Sequence, residues 1–140
     1  MFDELNYIEL SGKRYPIKCD LLVLEKIQDA YGSIGKFEEG LITWEPEVDD
    51  EGNTQKDADG KPILHGKFPS VKAVNDALVW MASEGEAIAA DQEKRKPRAI
   101  IRAEIVREVD VPLIDLANKL HDEFYRCFNL KNAVATQNQT

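Results

Sequence analysis

The sequence predicts an α+β fold, mostly helical: an N-terminal β-hairpin, a small bundle of about four to five helices, and a central protruding β-arm. Three observations lead there. Apolar and polar residues alternate on either side of Ser11-Gly12-Lys13, the pattern of a hairpin. Farther on, apolar residues recur at spacings of three and four behind good helix caps. Between the helical stretches, residues 42–69 change to two strand-like runs joined by an acidic segment rich in glycine and proline.

The hairpin covers residues 5–19. Tyr15, Ile17 and Cys19 alternate with Arg14, Pro16 and Lys18, which makes one apolar and one polar face, and Gly12 supplies the positive φ of a short turn. Pro16 has no N–H, so its arm is expected to leave that side of the ladder open. Asp20 is the expected N-cap of a helix over 21–31, with Leu24, Ile27 and Tyr31 as its stripe and Gly32 closing it. Ser33 is placed to cap a short second helix from about Ile34 to Glu39, directing Ile34, Phe37 and Leu41 to the same core.

The arm is read as Ile42-Thr43-Trp44, an acidic tip from Glu45 to Gly60, and a returning strand over 61–68. Ordering such a tip costs about 1–2 kcal/mol per residue and its side chains offer little apolar area in return, so mobility is expected. A third helix begins at Ser70 with the stripe Val71, Val74, Leu78, Met81 and Ile88; Gly85 within it suggests a kink or an end. The basic run Lys94 to Arg98 follows, with Pro97 as a helix stop. Residues 99–109 read as a helix. A last helix is expected with Asp110 as cap, Pro112 in the first turn, and Leu113, Leu116, Leu120, Phe124 and Phe128 on its apolar face. One globular domain over 1–128, with the arm as an insertion and 129–140 as a frayed tail, accounts for the chain; no internal repeat is evident.

Composition narrows the class of function. The chain has 140 residues, 43% hydrophobic and 31% charged, with 18 basic and 26 acidic side chains for a net charge of −8. That balance disfavours broad contact with nucleic acid or an anionic membrane, and no apolar run approaches the ~20 residues that span a bilayer. Residues 1–4 carry no basic-then-apolar leader pattern. Cys19 and Cys127 are expected to be thiols in apolar surroundings. His121, Cys127, Cys19 and His65 lack metal-site spacing, and Asp57-Ala58-Asp59-Gly60 fails the calcium-loop pattern because Gly66 stands where its glutamate belongs. Six basic residues lie between Lys94 and Arg107, but no aromatic interleaves with them for base stacking. No nucleophile motif or phosphate-cradling loop occurs, and the carboxylates lie in sequence that reads as water-facing; no enzyme activity and no cofactor or metal is expected.

The segment Ile8-Glu9-Leu10-Ser11-Gly12-Lys13-Arg14-Tyr15-Pro16-Ile17, followed by a helix ending Glu25-Lys26-Ile27-Gln28-Asp29-Ala30-Tyr31-Gly32-Ser33-Ile34 and then amphipathic helices, resembles the tail assembly chaperones of long-tailed phages and prophages of Gram-positive bacteria. The likeness is sharpest over residues 7–41 and rests on helix order beyond; the arm is longer than that pattern includes. The resemblance implies a non-catalytic protein of the host cytoplasm that binds the tape-measure protein, and in turn the tail tube protein, during tail morphogenesis, without membrane or nucleic acid and with a homo-oligomer as one form. Apolar grooves between its helices would cover amphipathic helices of the partner. The aromatic and apolar residues chosen for that contact are Phe37, Leu41, Trp44, Trp80 and Tyr125. A tail-completion or connector protein retained in the virion, and a small DNA-associated regulator using Lys94 to Arg107, are the competing expectations.

Overall fold

A computed structural model gives the architecture; it describes the backbone of residues 4–138 and side chains as far as Asn129. The leader reading at residues 1–3 and the last two residues of the tail lie outside that range. The fold is α+β, with the order β1 Asn6–Leu10, β2 Lys13–Ile17, α1 Leu21–Tyr31, α2 Ile34–Leu41, β3 Trp44–Pro46, β4 Leu64–Gly66, α3 Val71–Glu93, α4 Arg102–Arg107 and α5 Leu113–Asn138. The hairpin, the bundle of five helices and the central arm are all present as expected.

β1 and β2 pair antiparallel from Asn6↔Ile17 to Leu10↔Lys13. The two-residue turn puts Ser11 at φ 51 and Gly12 at φ 76, the doubly positive turn that matches strand twist. The turn-closing pair of such a hairpin is hydrogen-bonded and alternate pairs follow, so Tyr7↔Pro16 falls in a non-bonded pair and the missing N–H costs the ladder nothing. The outer side of β2 runs along α3: the Lys18 N–H donates to the Met81 carbonyl at 2.9 Å. Pro16 within β2 and Lys18 just past it are both buried, so the far end of the hairpin does not keep the simple polar face that alternation predicts.

Asp20 caps α1 by accepting from the N–H groups of Leu22 and Val23, Gly32 closes it in the left-handed conformation, and Ser33 caps α2 through the Lys36 N–H. Gly85 neither kinks nor ends its helix. α3 runs through it to Glu93, with Lys94 as a left-handed cap. Gly85 is there because a Cβ at that position would lie 2.2 Å from the Pro16 carbonyl oxygen: β2 crosses α3 backbone to backbone. The helix expected over 99–109 shrinks to the six residues of α4, preceded by an extended segment. α5 starts one residue past Pro112, whose carbonyl accepts from the Leu116 N–H, so Pro112 and not Asp110 occupies the cap. The same helix continues through Phe128 to Asn138, so the sequence division at 128/129 is not an element boundary.

The core lies where the hairpin, α1, α2, α3 and α5 meet. Ile8, Leu10 and Ile17 of the hairpin, Ile27, Phe37, Leu78, Met81, Leu116, Leu120 and Phe124 are fully or almost fully buried. An aromatic cluster fills its centre: Phe37 meets Tyr31 edge-on at 5.2 Å and Phe124 at 5.6 Å, and Trp80 lies 6.4 Å from both Tyr31 and Phe37. Among the described residues no helix is long and apolar enough to cross a membrane.

Candidate interaction surface

The arm is more regular than its composition suggests. Beyond the β3–β4 pairs Trp44↔Gly66, Glu45↔His65 and Pro46↔Leu64, bridges join Val48 to Thr54 and Lys56 to Pro62. Two turns repeat at an interval of eight residues. Asp49 accepts from the N–H groups of Glu51 and Asn53, and Asp57 accepts likewise from Asp59 and Lys61, all at 2.9–3.0 Å. Gly52 at φ 85 and Gly60 at φ 81 take matching places. Glu47, Gln55 and Ile63, spaced by the same eight residues, bond one another through their backbones. The chain thus holds a short internal repeat, missed because only Asp and Gly recur in it. Each aspartate satisfies two backbone donors locally, which stabilises a turn without any apolar burial.

Register decides which side chains the arm presents. Directly paired residues share a face of a two-stranded sheet, and alternate residues follow them. Trp44, Pro46 and Leu64 therefore lie on one face, and all are exposed, Trp44 by 60% and Leu64 by 53%. Val48 and Phe68, next in the alternation at either end, are exposed by 56% and 66%. The other face carries the Glu45–His65 pair, 2.9 Å apart and half-buried, with Glu47 at 4.0 Å from the same imidazole. The apolar side of this hairpin faces water, the reverse of an ordinary half-buried sheet. Its base is tied to the body: Thr43 donates to the Asn118 side chain of α5, Lys67 N–H bonds the Thr43 carbonyl, and the Lys67 ammonium reaches the Glu39 carbonyl.

The five residues chosen from sequence divide. Phe37 and Leu41 are completely buried and cannot meet a partner in this fold; the stripe Ile34–Phe37–Leu41 turns inward because α2 packs on α3 and α5. Trp80 is half-buried as part of the aromatic cluster. Trp44 is exposed in the arm's row. Tyr125 is 53% exposed on α5, stacked at 5.9 Å on His121, which itself bonds Glu38. It lies two turns, about 10 Å, beyond Asn118, the residue that anchors the arm. The residues sequence reasoning missed are Leu64, which the pairing register puts on Trp44's face, and Val48 and Phe68, exposed just beyond the paired strands.

The carboxylates that read as water-facing include three that are buried: Asp76, Glu86 and Glu123 are 5%, 1% and 1% exposed. The sequence signal was their position. Glu86 falls between Ala82 and Ala89, and Glu123 between Leu120 and Cys127, in register with the apolar stripes. Each is saturated. Glu86 takes Arg95 in a two-pronged contact at 2.6 and 3.2 Å, the Arg98 N–H at 2.7 Å and the Arg98 guanidinium. The Arg95 guanidinium, foremost, holds Glu86 down to about 2 against the opposing effect of burial. Asp76 accepts from Tyr31, Lys72 and Arg102; burial alone would raise it, but those donors hold it below the usual range. Glu123 accepts from Asn6, from the Cys19 N–H and from Arg126.

These contacts also revise the basic run. Arg95, Arg98 and Arg102 neutralise buried carboxylates of α3, so half of its six cations are not free to follow a phosphate backbone. Cys19 and Cys127 are buried free thiols that lie against each other, and beside Glu123, not in wholly apolar surroundings. The hydrogen bond between the two, then burial, drives the Cys19 thiol far above the ordinary range.

A groove of about 510 Å³ opens between β2 and α4, lined by Lys13, Tyr15, Arg98, Ile101, Glu104 and Glu108. Three of its polar groups engage one another: Glu108 accepts from Lys13 at 2.5 Å and from the Tyr15 hydroxyl, and Tyr15 is pushed up to about 12 by burial and that bond. Among the described residues no cluster of three or more potential ligands could hold a metal ion. Among the described residues, Leu21 and Leu22 on α1 are exposed apolar side chains too, and the arm adds a row of them along one paired element. Compared with protein-family models, curated proteins and solved structures, the chain matches none.

Proposed function

We propose that this protein is a tail assembly chaperone of long-tailed phages or prophages of Gram-positive bacteria, acting in the host cytoplasm by binding the tape-measure protein before the tail tube closes around it. The observation that carries a binding role is the exposed row of Trp44, Pro46, Val48, Leu64 and Phe68. Large apolar side chains left in water along one face are favoured contacts for another polypeptide. The assignment of that polypeptide comes from the resemblance over residues 7–41. The contact surface differs from the inter-helix grooves first expected, since those are filled by Phe37, Leu41 and Phe124. No bond is made or broken in this mechanism; the buried carboxylates serve as internal ties.

Co-expression with a tape-measure protein from the same genome tests the reading. The expected result is a soluble complex of the two and an insoluble tape-measure protein without the chaperone. Unchanged solubility and no co-purification would remove the assignment. A tail-completion or connector role would use the same row permanently, and mass spectrometry of purified particles separates the two. A chaperone is absent from finished particles, whereas a connector is present in fixed stoichiometry.

A further inference from the structure

The arm combines its apolar row with a strong local charge. Between Glu45 and Lys61 there are seven carboxylates and two lysines. Two such arms placed face to face repel, which disfavours a second copy as the occupant and favours a cationic one. Length narrows the choice further. The row from Trp44 to Val48 spans about 13 Å of strand, which matches apolar positions i, i+4 and i+7 along about 10 Å of helix. We propose that the arm's exposed face, Trp44, Pro46, Val48, Leu64 and Phe68 bordered by the acidic tip, docks an amphipathic helix whose apolar stripe is flanked by lysine or arginine. The repeated Asp49 and Asp57 turns set the tip's backbone, so the acidic border of the row is the tip's own carboxylates, Asp49, Asp50, Glu51, Asp57 and Asp59, while Glu45 and Glu47 lie on the opposite face with His65. This deepens the chaperone reading by naming the chemistry of the bound segment, and rests on it only for the partner's identity.

The test uses the full chain and two synthetic helices of about 14 residues (~20 Å) with one leucine stripe, flanked by lysine in one and glutamate in the other. Binding is followed by calorimetry and by the blue shift of tryptophan emission in a Trp80→Phe background, where Trp44 is the remaining tryptophan. The lysine helix is expected to bind at least about tenfold more tightly than the glutamate helix, and more weakly as salt shortens the screening length. The double variant L64S/F68S, at two exposed positions, is expected to weaken that binding about tenfold or more. D50K/E51K at the tip is expected to narrow the preference between the helices. Circular dichroism confirms that both variants keep the fold. No binding of the lysine helix, equal binding of the glutamate helix, or binding within about threefold of wild type in L64S/F68S overturns the proposal. Sedimentation showing a dimer that L64S/F68S dissolves overturns it in favour of a second copy. Because no tape-measure protein enters this experiment, the docking chemistry and the chaperone assignment fail separately.

Discussion

Glu86 is nearly inaccessible, yet it is charged, because Arg95, the Arg98 N–H and the Arg98 guanidinium converge on it. A buried ion pair contributes little net stability, but removing one partner is costly. Glu86→Ala is expected to destabilise the protein by about 3 kcal/mol, the low end for a buried pair since both arginines can still reach water. Urea unfolding at pH 7 measures it. With its carboxyl held at about 2, below its ordinary 4.5, Glu86 contributes stability present above pH 4.5 and lost as the pH falls toward 2. The wild type and Glu86→Ala should therefore converge on acidification. Glu84 has the opposite sign. Its hydrogen bond to Asp20, then burial and the Asp20 charge, push it up to about 7. Its contribution is complete below pH 4.5 and lost as the pH rises through 7. Glu84→Gln retains a donor to Asp20 without ionising. It should be more stable than wild type by about 1 kcal/mol at pH 8, after discounting for its partial exposure, and indistinguishable at pH 5. Comparison of urea midpoints at the two pH values decides it.

At the scale of elements, Gly85 shows how the same residue reads differently in isolation and in a fold. In a solvated helix, Gly→Ala gains about 1 kcal/mol. Here the added methyl would meet the Pro16 carbonyl carbon and oxygen at 2.4 and 2.2 Å, and the Ile17 nitrogen at 2.7 Å. These are backbone atoms held by the hairpin ladder, so the clash outweighs the propensity gain. Gly85→Ala is expected to cost about 3 kcal/mol, read from thermal unfolding, and a stabilised protein would show that β2 does not cross α3 so closely. Caps were the most legible elements: Asp20, Gly32, Ser33 and Ser70 act where the pattern placed them, because a cap is a contact within one turn of chain. α4 was overread. Ile100, Ile101, Ile105 and Val106 are spaced like a helix stripe, but the segment before Arg102 stays extended while Arg98 is drawn to Glu86.

For the whole molecule, the buried carboxylates join elements remote in sequence. Asp76 links α3 to Tyr31 of α1 and Arg102 of α4; Glu123 links α5 to β1 and to the junction before α1. Among the described residues the arm takes no part in these ties, and its hydrogen bonds to the body lie at its base. Replacing residues 46–64 with a short glycine–serine link is therefore expected to leave the stability of the remainder within about 1 kcal/mol of wild type. The same deletion should abolish binding of a cationic amphipathic helix. Matched denaturation curves with lost binding would establish the arm as a separable docking element, and a collapse of stability would show that the body depends on it.

The amino-acid sequence by itself determined the class of fold, the hairpin turn, the helix caps and the place of the arm, since each depends on residues a few positions apart. It also determined the charge, which concentrates in the arm's tip. Only the tertiary structure decided that Phe37 and Leu41 are core, that the basic run serves Glu86 and Asp76, and that Trp44, Pro46 and Leu64 share an exposed face. Those outcomes depend on which surfaces meet: burial and ion pairing are properties of segments brought together across the fold, and a strand's face is set by its partner's register.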